Sequence, residues 1–134
     1  MDRRIAAALA HIDRCLADDI RVRDLAAAVH LSPSRFAHLF QVELGVAPHE
    51  FIKTQRMTRA RVLLERTFLT VKEVMALVGC NDTSHFTRDF RRQHGLSPRE
   101  WRFRYGPHAA SRPPPEPPFH PQQNPPTNSR MRPV

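Results

Sequence analysis

A pattern of seven residues occurs twice in this chain. Ser34, Phe36, Phe40, Gly45, Pro48, Glu50 and Phe51 recur fifty residues on as Ser84, Phe86, Phe90, Gly95, Pro98, Glu100 and Trp101. Upstream the offset is 49: Leu25 matches Val74, and Val29 matches Val78. One extra residue therefore sits in the second copy between Val78 and Phe86, where a turn is expected. A period of about 50 marks a repeated supersecondary unit, and two copies are too few for a solenoid. Two similar units on one connecting segment imply two equivalent binding elements at fixed separation.

The repeats read as helix throughout, and no segment has the period of two that a strand needs. Ile5, Leu9, Ile12 and Leu16 fall on one face of a first helix, with Asp18 and Asp19 following its end. Leu25, Ala26 and Val29 form the buried side of a short second helix. Ser32 before Pro33 is a helix start: the hydroxyl accepts an orphan amide, and proline at the first helical position loses no needed donor. That third helix runs to about Leu44 with Phe36, Leu39 and Phe40 inward, and Gly45 is a left-handed stop. Pro48 opens a longer helix to about Arg66, with Ile52, Arg56, Ala60 and Leu63 along one side. Thr70 and Glu73 form a capping box for a short helix that buries Val74, Leu77 and Val78 and ends at Gly79. Asp82 or Asn81 caps the next helix, in which Phe86 and Phe90 point inward and which Gly95 stops. Ser97, Pro98 and Glu100 start the last helix, which carries Trp101 and Tyr105.

Residues 107–134 hold ten of the thirteen prolines. Pro113–Pro115, Pro117 and Pro118 cannot sit inside a helix, so this tail is expected to be disordered or polyproline-like, either an inert overhang or a docking motif. The net charge is +8, of which the tail contributes +2. Residues 1–52 carry −1 and residues 53–106 carry +7, so the charge is concentrated in the second half. A basic balance favours a polyanionic partner or marks an arginine-rich solvated surface. Two cysteines make no disulfide framework. No apolar stretch spans a bilayer and no signal-peptide core opens the chain, so the cytoplasm is the expected location. Cys80 and His85 lack the spacing of a zinc site, and no catalytic constellation stands out. Neither a cofactor nor enzymatic activity is expected.

A short helix, a tight turn and a second helix make a helix-turn-helix unit. In such units the second helix enters the major groove and its exposed side chains meet base edges. With the phenylalanines inward, the outer face displays Ser34, Arg35, His38 and Gln41 in the first copy. In the second it displays Ser84, His85, Arg88, Arg91 and Arg92. Arginine bonds two acceptors on guanine at once; serine, histidine and glutamine read less strictly. Residues 33–44 hold Arg35 against Glu43, whereas residues 83–94 hold Arg88, Arg91 and Arg92 against Asp89. Phosphate neutralisation is therefore expected mainly on the second unit. Arg56 would brace the two units or contact phosphate. A helix from Pro48 to Arg66 is roughly 28 Å long, and one turn of B-DNA is about 34 Å. Such a linker can space two reading helices for adjacent turns.

Val22, Asp24, Leu25, Ala26, Leu31, Ser32, Phe36 and Phe40 resemble the first DNA-binding unit of the AraC/XylS family of transcription regulators. Arg56, Met57, Ala60, Leu63 and Leu64 resemble that family's linker helix. Val71 to Arg102 is similar to its most diagnostic segment, through Glu73, Val78, Gly79, Asp82, Ser84, Phe86, Phe90, Gly95, Ser97, Pro98, Trp101 and Arg102. The resemblance covers about residues 5–106. It implies an all-α domain of about seven helices: two homeodomain-like helix-turn-helix lobes, about 22–45 and 71–95, joined by a linker helix at about 48–66. It also implies that Ser34, Arg35, His38, Ser84, His85 and Arg88 fall at or beside base-contacting positions, with Gln41, Arg91, Arg92 and Arg56 on phosphates.

Three residues depart from the family pattern. Met75 stands at a usual alanine, Cys80 at a usual aromatic and His85 at a frequent tyrosine. Met75 adds volume and Cys80 removes it, so the two are expected to compensate in part inside the second lobe, at a cost of about 1–3 kcal/mol where they do not. The expected function is sequence-specific transcription regulation by a monomer on double-stranded DNA, acting on RNA polymerase by contact or blockade. No room for a sensing domain is expected in this length. The alternatives are a truncated remnant of a longer regulator and a helical protein-interaction module that docks through its proline tail. Salt-sensitive DNA affinity, lost on Arg88→Ala, separates the regulator from the module.

Overall fold

Polar side chains set where the helices begin. Asp2, Ser32, Thr70, Asp82 and Ser97 each accept a backbone N–H of the first turn that follows. These caps satisfy amides that have no partner within the helix. Thr70 with Glu73 and Ser97 with Glu100 are complete capping boxes, in which the glutamate reaches back to the cap's own amide. In the computed structural model, which describes residues 1–109, the helices are α1 (Arg3–Arg14), α2 (Val22–Ala28), α3 (Pro33–Leu44), α4 (Pro48–Arg66), α5 (Val71–Leu77), α6 (Thr83–His94) and α7 (Pro98–Tyr105). Among the described residues there is no strand. Of the expected disordered tail, residues 107–109 form a turn after α7, with the Ala109 amide donating to the Gly106 carbonyl at 2.9 Å, and the rest lies outside the described residues.

Two hydrophobic cores form. Lobe one packs Ile5, Ala8, Ile12 and Leu16 from α1 and just beyond it on Leu25 and Ala26 of α2, Phe36 and Phe40 of α3 and Ile52 of α4. Lobe two packs Met57, Ala60 and Leu64 of α4 on Val74, Met75 and Val78 of the α5 segment and Phe86 and Phe90 of α6. The long helix α4 thus gives Ile52 to one core and its later turns to the other. It closes lobe one and covers α5 and α6 as α1 covers α2 and α3. The repeat therefore overlaps itself by one helix.

The phenylalanines adopt the same arrangement in both lobes. Phe36 and Phe40 are tilted at 5.8 Å, Phe86 and Phe90 at 6.0 Å. Phe51 meets Phe40 edge-on at 5.6 Å, and Trp101 meets Phe90 edge-on at 6.0 Å. Gly45 and Gly95 end α3 and α6 in the left-handed conformation.

Two expectations change. Leu77 is about half exposed, at 49 %, and Met75 is buried in its place. On so short a helix the buried face is one narrow stripe of positions i, i+1 and i+4. Val74, Met75 and Val78 fill it as Leu25, Ala26 and Val29 do in lobe one, and Leu77 matches the exposed Ala28. Second, α1 ends at Arg14, and Leu16 stays buried although it lies beyond the helix. Met75 belongs to the second core, whereas Cys80 packs against that core's edge. Burial pushes the Cys80 thiol above its ordinary value.

Candidate nucleic-acid interface

Burial of Phe36 and Phe40 fixes which side of α3 faces out. Ser34, Arg35, His38 and Gln41 are all exposed. Ser34, Arg35 and His38 line one surface groove together with Arg4, Leu31 and Leu39. Burial of Phe86 and Phe90 does the same for α6, where Ser84, His85, Arg88, Arg91 and Arg92 are exposed. Ser84, Arg88, Arg91 and Arg92 share a shallow groove with Thr83 and Thr87. The structure thus brings Ser34, Arg35 and His38 together in one groove and Ser84, Arg88, Arg91 and Arg92 in another, while Gln41 and His85 are exposed outside them.

Neighbouring carboxylates tune these side chains unequally. Asp82 caps α6 through the His85 amide at 2.9 Å, and its Oδ2 lies 3.7 Å from His85 Nδ1. The His85 amide, with the His85 ring nearby, holds the Asp82 carboxyl below its usual range. Arg88 Nε lies 3.6 Å from Asp89 Oδ1, a buried oxygen with no hydrogen bond among the described residues. Asp89 occupies the position that Leu39 fills in lobe one. Arg91 lies 3.6 Å from Glu100, whose carboxyl is held low first by the Ser97 amide and hydroxyl and then by Arg91 itself. Arg92 forms no ion pair among the described residues, so its charge is uncompensated on the surface.

Arg56 stands apart from both faces. Its Nε donates to the Leu16 carbonyl at 3.1 Å and its Nη2 to the Asp18 carbonyl at 2.6 Å. Arg102 does the same for the end of α4, donating from Nε to the Leu64 carbonyl at 2.9 Å and from Nη2 to the Leu69 carbonyl. Carbonyls at a helix end carry partial negative charge and lack intrahelical donors, which suits a guanidinium fork.

Sequence reasoning missed Arg4 and Thr87 as members of this surface. The Asp2 amide donates to Glu43 Oε1 at 2.6 Å, which brings the start of α1 beside α3 and Arg4 into its groove. Arg4 is held by Asp2, from Nε at 3.2 Å and from Nη2 at 3.0 Å, and the pair lowers the Asp2 carboxyl to about 2. No spacing in the sequence signals that docking of α1 on α3. Thr87 could have been found from helical spacing, since it sits three residues after Ser84, although the repeat puts Ala37 at its place. Among the described residues no three His, Cys, Asp or Glu side chains gather as a metal site. No helix of the described residues is long and apolar enough to cross a membrane.

Residues 25–104 match the model of a protein family described as a helix-turn-helix domain. The regulatory protein PocR of Salmonella typhimurium is 34 % identical over 101 residues, covering 75 % of this chain and 33 % of PocR. The arabinose operon regulatory protein of Escherichia coli K12 is 37 % identical over 103 residues, covering 76 % of this chain and 35 % of that protein. The chain thus spans about a third of the length of the curated relatives it matches. The DNA-binding domain of AdpA, described as a global transcriptional factor and solved with a target DNA, superposes with a TM-score of 0.74. It is 31 % identical, and the match covers 83 % of this chain and 97 % of that one. The chain belongs to this helix-turn-helix domain family, in its AraC/XylS type.

Proposed function

We propose that residues 5–106 form a sequence-specific DNA-binding domain that regulates transcription, with α3 and α6 seated in successive major grooves on one side of a duplex. One observation carries this reading. Two helices at matching repeat positions present matching polar faces, Ser34, Arg35 and His38 on one and Ser84, His85 and Arg88 on the other. Both helices are packed against the same α4. In this reading Arg88 takes a guanine edge by two hydrogen bonds, while the serines and histidines read more loosely. Gln41, Arg91 and Arg92 lie farther along the same faces, where phosphates flank the groove. The sequence left Arg56 either to brace the lobes or to contact phosphate, and its hydrogen bonds to two carbonyls support the bracing role. The similarity to a DNA-binding domain solved on its target supports DNA as the partner.

Two reading helices in one chain suit a monomer on an asymmetric site. From there it would meet RNA polymerase or block it, in the cytoplasm where the chromosome lies. Selection of bound sequences from a random duplex pool tests the reading. The expected result is a bipartite consensus with about ten base pairs between half-site centres. Arg88→Ala should then lose about 1–3 kcal/mol on the selected site and relax the preference in one half only. Folded protein that enriches no sequence at low ionic strength would refute the proposal, and would favour a protein-interaction module instead.

A further inference from the structure

The segment after α1 touches both lobes. Leu16 belongs to the first core, while the carbonyls of Leu16 and Asp18 accept from Arg56. Farther along α4, Arg59 lies 3.2 Å from Asp13 on α1. On its other side the segment meets the turn between α5 and α6. A methyl group at Gly79 would lie 2.8 Å from the Leu16 carbonyl oxygen and 3.0 Å from that of Ala17. His30 holds the matching place in lobe one with a φ of 62°, close to the 78° of Gly79, and is exposed. The left-handed turn thus carries a side chain where nothing presses on it and lacks one where lobe one does. Beside this contact an open cleft is lined by Asp18, Asp19, Lys72, Met75 and Cys80.

We propose that Arg56 is a positioning residue for DNA recognition, and that it sets the half-site spacing the protein accepts. It acts by holding segment 16–18 against the Gly79 turn. The inference rests on the reading of α3 and α6 as the DNA-contacting helices. The Gly79 turn leads within three residues to Asp82, the cap of α6. A shift of that turn therefore re-aims Ser84, His85 and Arg88 together. One base pair of spacing moves a half-site by about 3.4 Å and about 35° around the axis, so a small rotation of one lobe changes which spacing fits.

The test compares wild type, Arg56→Ala and Gly79→Ala on the selected bipartite duplex and on versions with one base pair added to or removed from the spacer. Wild type should lose roughly tenfold or more in affinity for each misspaced duplex, comparable to a mismatched base pair. Both variants should lose less than about threefold, with base preferences inside each half-site kept. General destabilisation lowers affinity on every spacer alike, so the ratio between spacers isolates positioning. Should Arg56→Ala fail to fold, Gly79→Ala carries the same comparison, because it leaves Arg56 and every core side chain unsubstituted. A folded variant as strict about spacing as the wild type overturns the proposal. Wild-type protein that binds no duplex overturns the DNA reading itself, a distinct outcome.

Discussion

Arg91 and Arg92 are neighbours on α6 with different surroundings. Arg91 lies 3.6 Å from Glu100, whereas Arg92 forms no ion pair among the described residues. Releasing a counterion requires an uncompensated charge on the phosphate. Arg92→Ala should therefore flatten the salt dependence of DNA binding by about one counterion, and Arg91→Ala by less. Titration of affinity against salt concentration checks both, and unchanged slopes would remove the two arginines from the phosphate contact. His94 offers a separate handle. Its ring is tilted against that of Phe90 at 4.5 Å with Nε2 3.0 Å from the Met57 carbonyl, and burial pushes its pKa below the ordinary histidine value. The hydrogen bond to Met57 and the nearby Glu65 oppose that shift, while Arg61 adds to it. The fold thus prefers neutral His94. The stability it contributes is present above the unfolded pKa of about 6.5 and is lost as pH falls through the lowered folded value. Between about pH 7 and 5 the Tm of the wild type should fall more than that of His94→Gln, which thermal unfolding at each pH measures.

Helix starts, stops and outward faces were legible in the sequence because they depend on neighbours within one turn or two. Ser32, Thr70, Asp82 and Ser97 cap where their spacing says they should. The phenylalanines fix the exposed sides of α3 and α6 by helical period alone. What stayed hidden depends on contacts between elements. The partners of Arg56 lie 38 and 40 residues away. The carbonyls that exclude a side chain at Gly79 belong to the segment that follows α1. Leu77 was misread because hydrophobicity alone does not say which stripe of a two-turn helix meets the core. At this scale α4 carries most of the load. Leu64 is fully buried in lobe two and its carbonyl accepts from Arg102. Leu64→Ala should cost about 2–5 kcal/mol, the range for a buried leucine cavity, as measured by denaturant unfolding. A loss below about 1 kcal/mol would mean that the site collapses around the deletion.

At the scale of the molecule, charge and shape divide differently between the lobes. The fold is nearly repeated, yet the first 52 residues carry −1 and the next 54 carry +7. Lobe two would supply most of the attraction to DNA, and lobe one would add discrimination with little charge. The charge split was plain in the sequence, because it needs counting and no geometry. The way one half presses on the other was not, because it arises where Leu16, Arg56 and Gly79 meet across more than sixty residues of chain. Because Ile52 sits in one core and Met57, Ala60 and Leu64 in the other, the Leu64→Ala transition should remain single and shift as a whole. The shared helix also leaves no seam at which this chain can be divided. A protease nick in the middle of α4 would orphan both fragments at once, since each would keep a piece of a wall that the other needs. Excising either half as a working unit would mean duplicating the helix they hold in common.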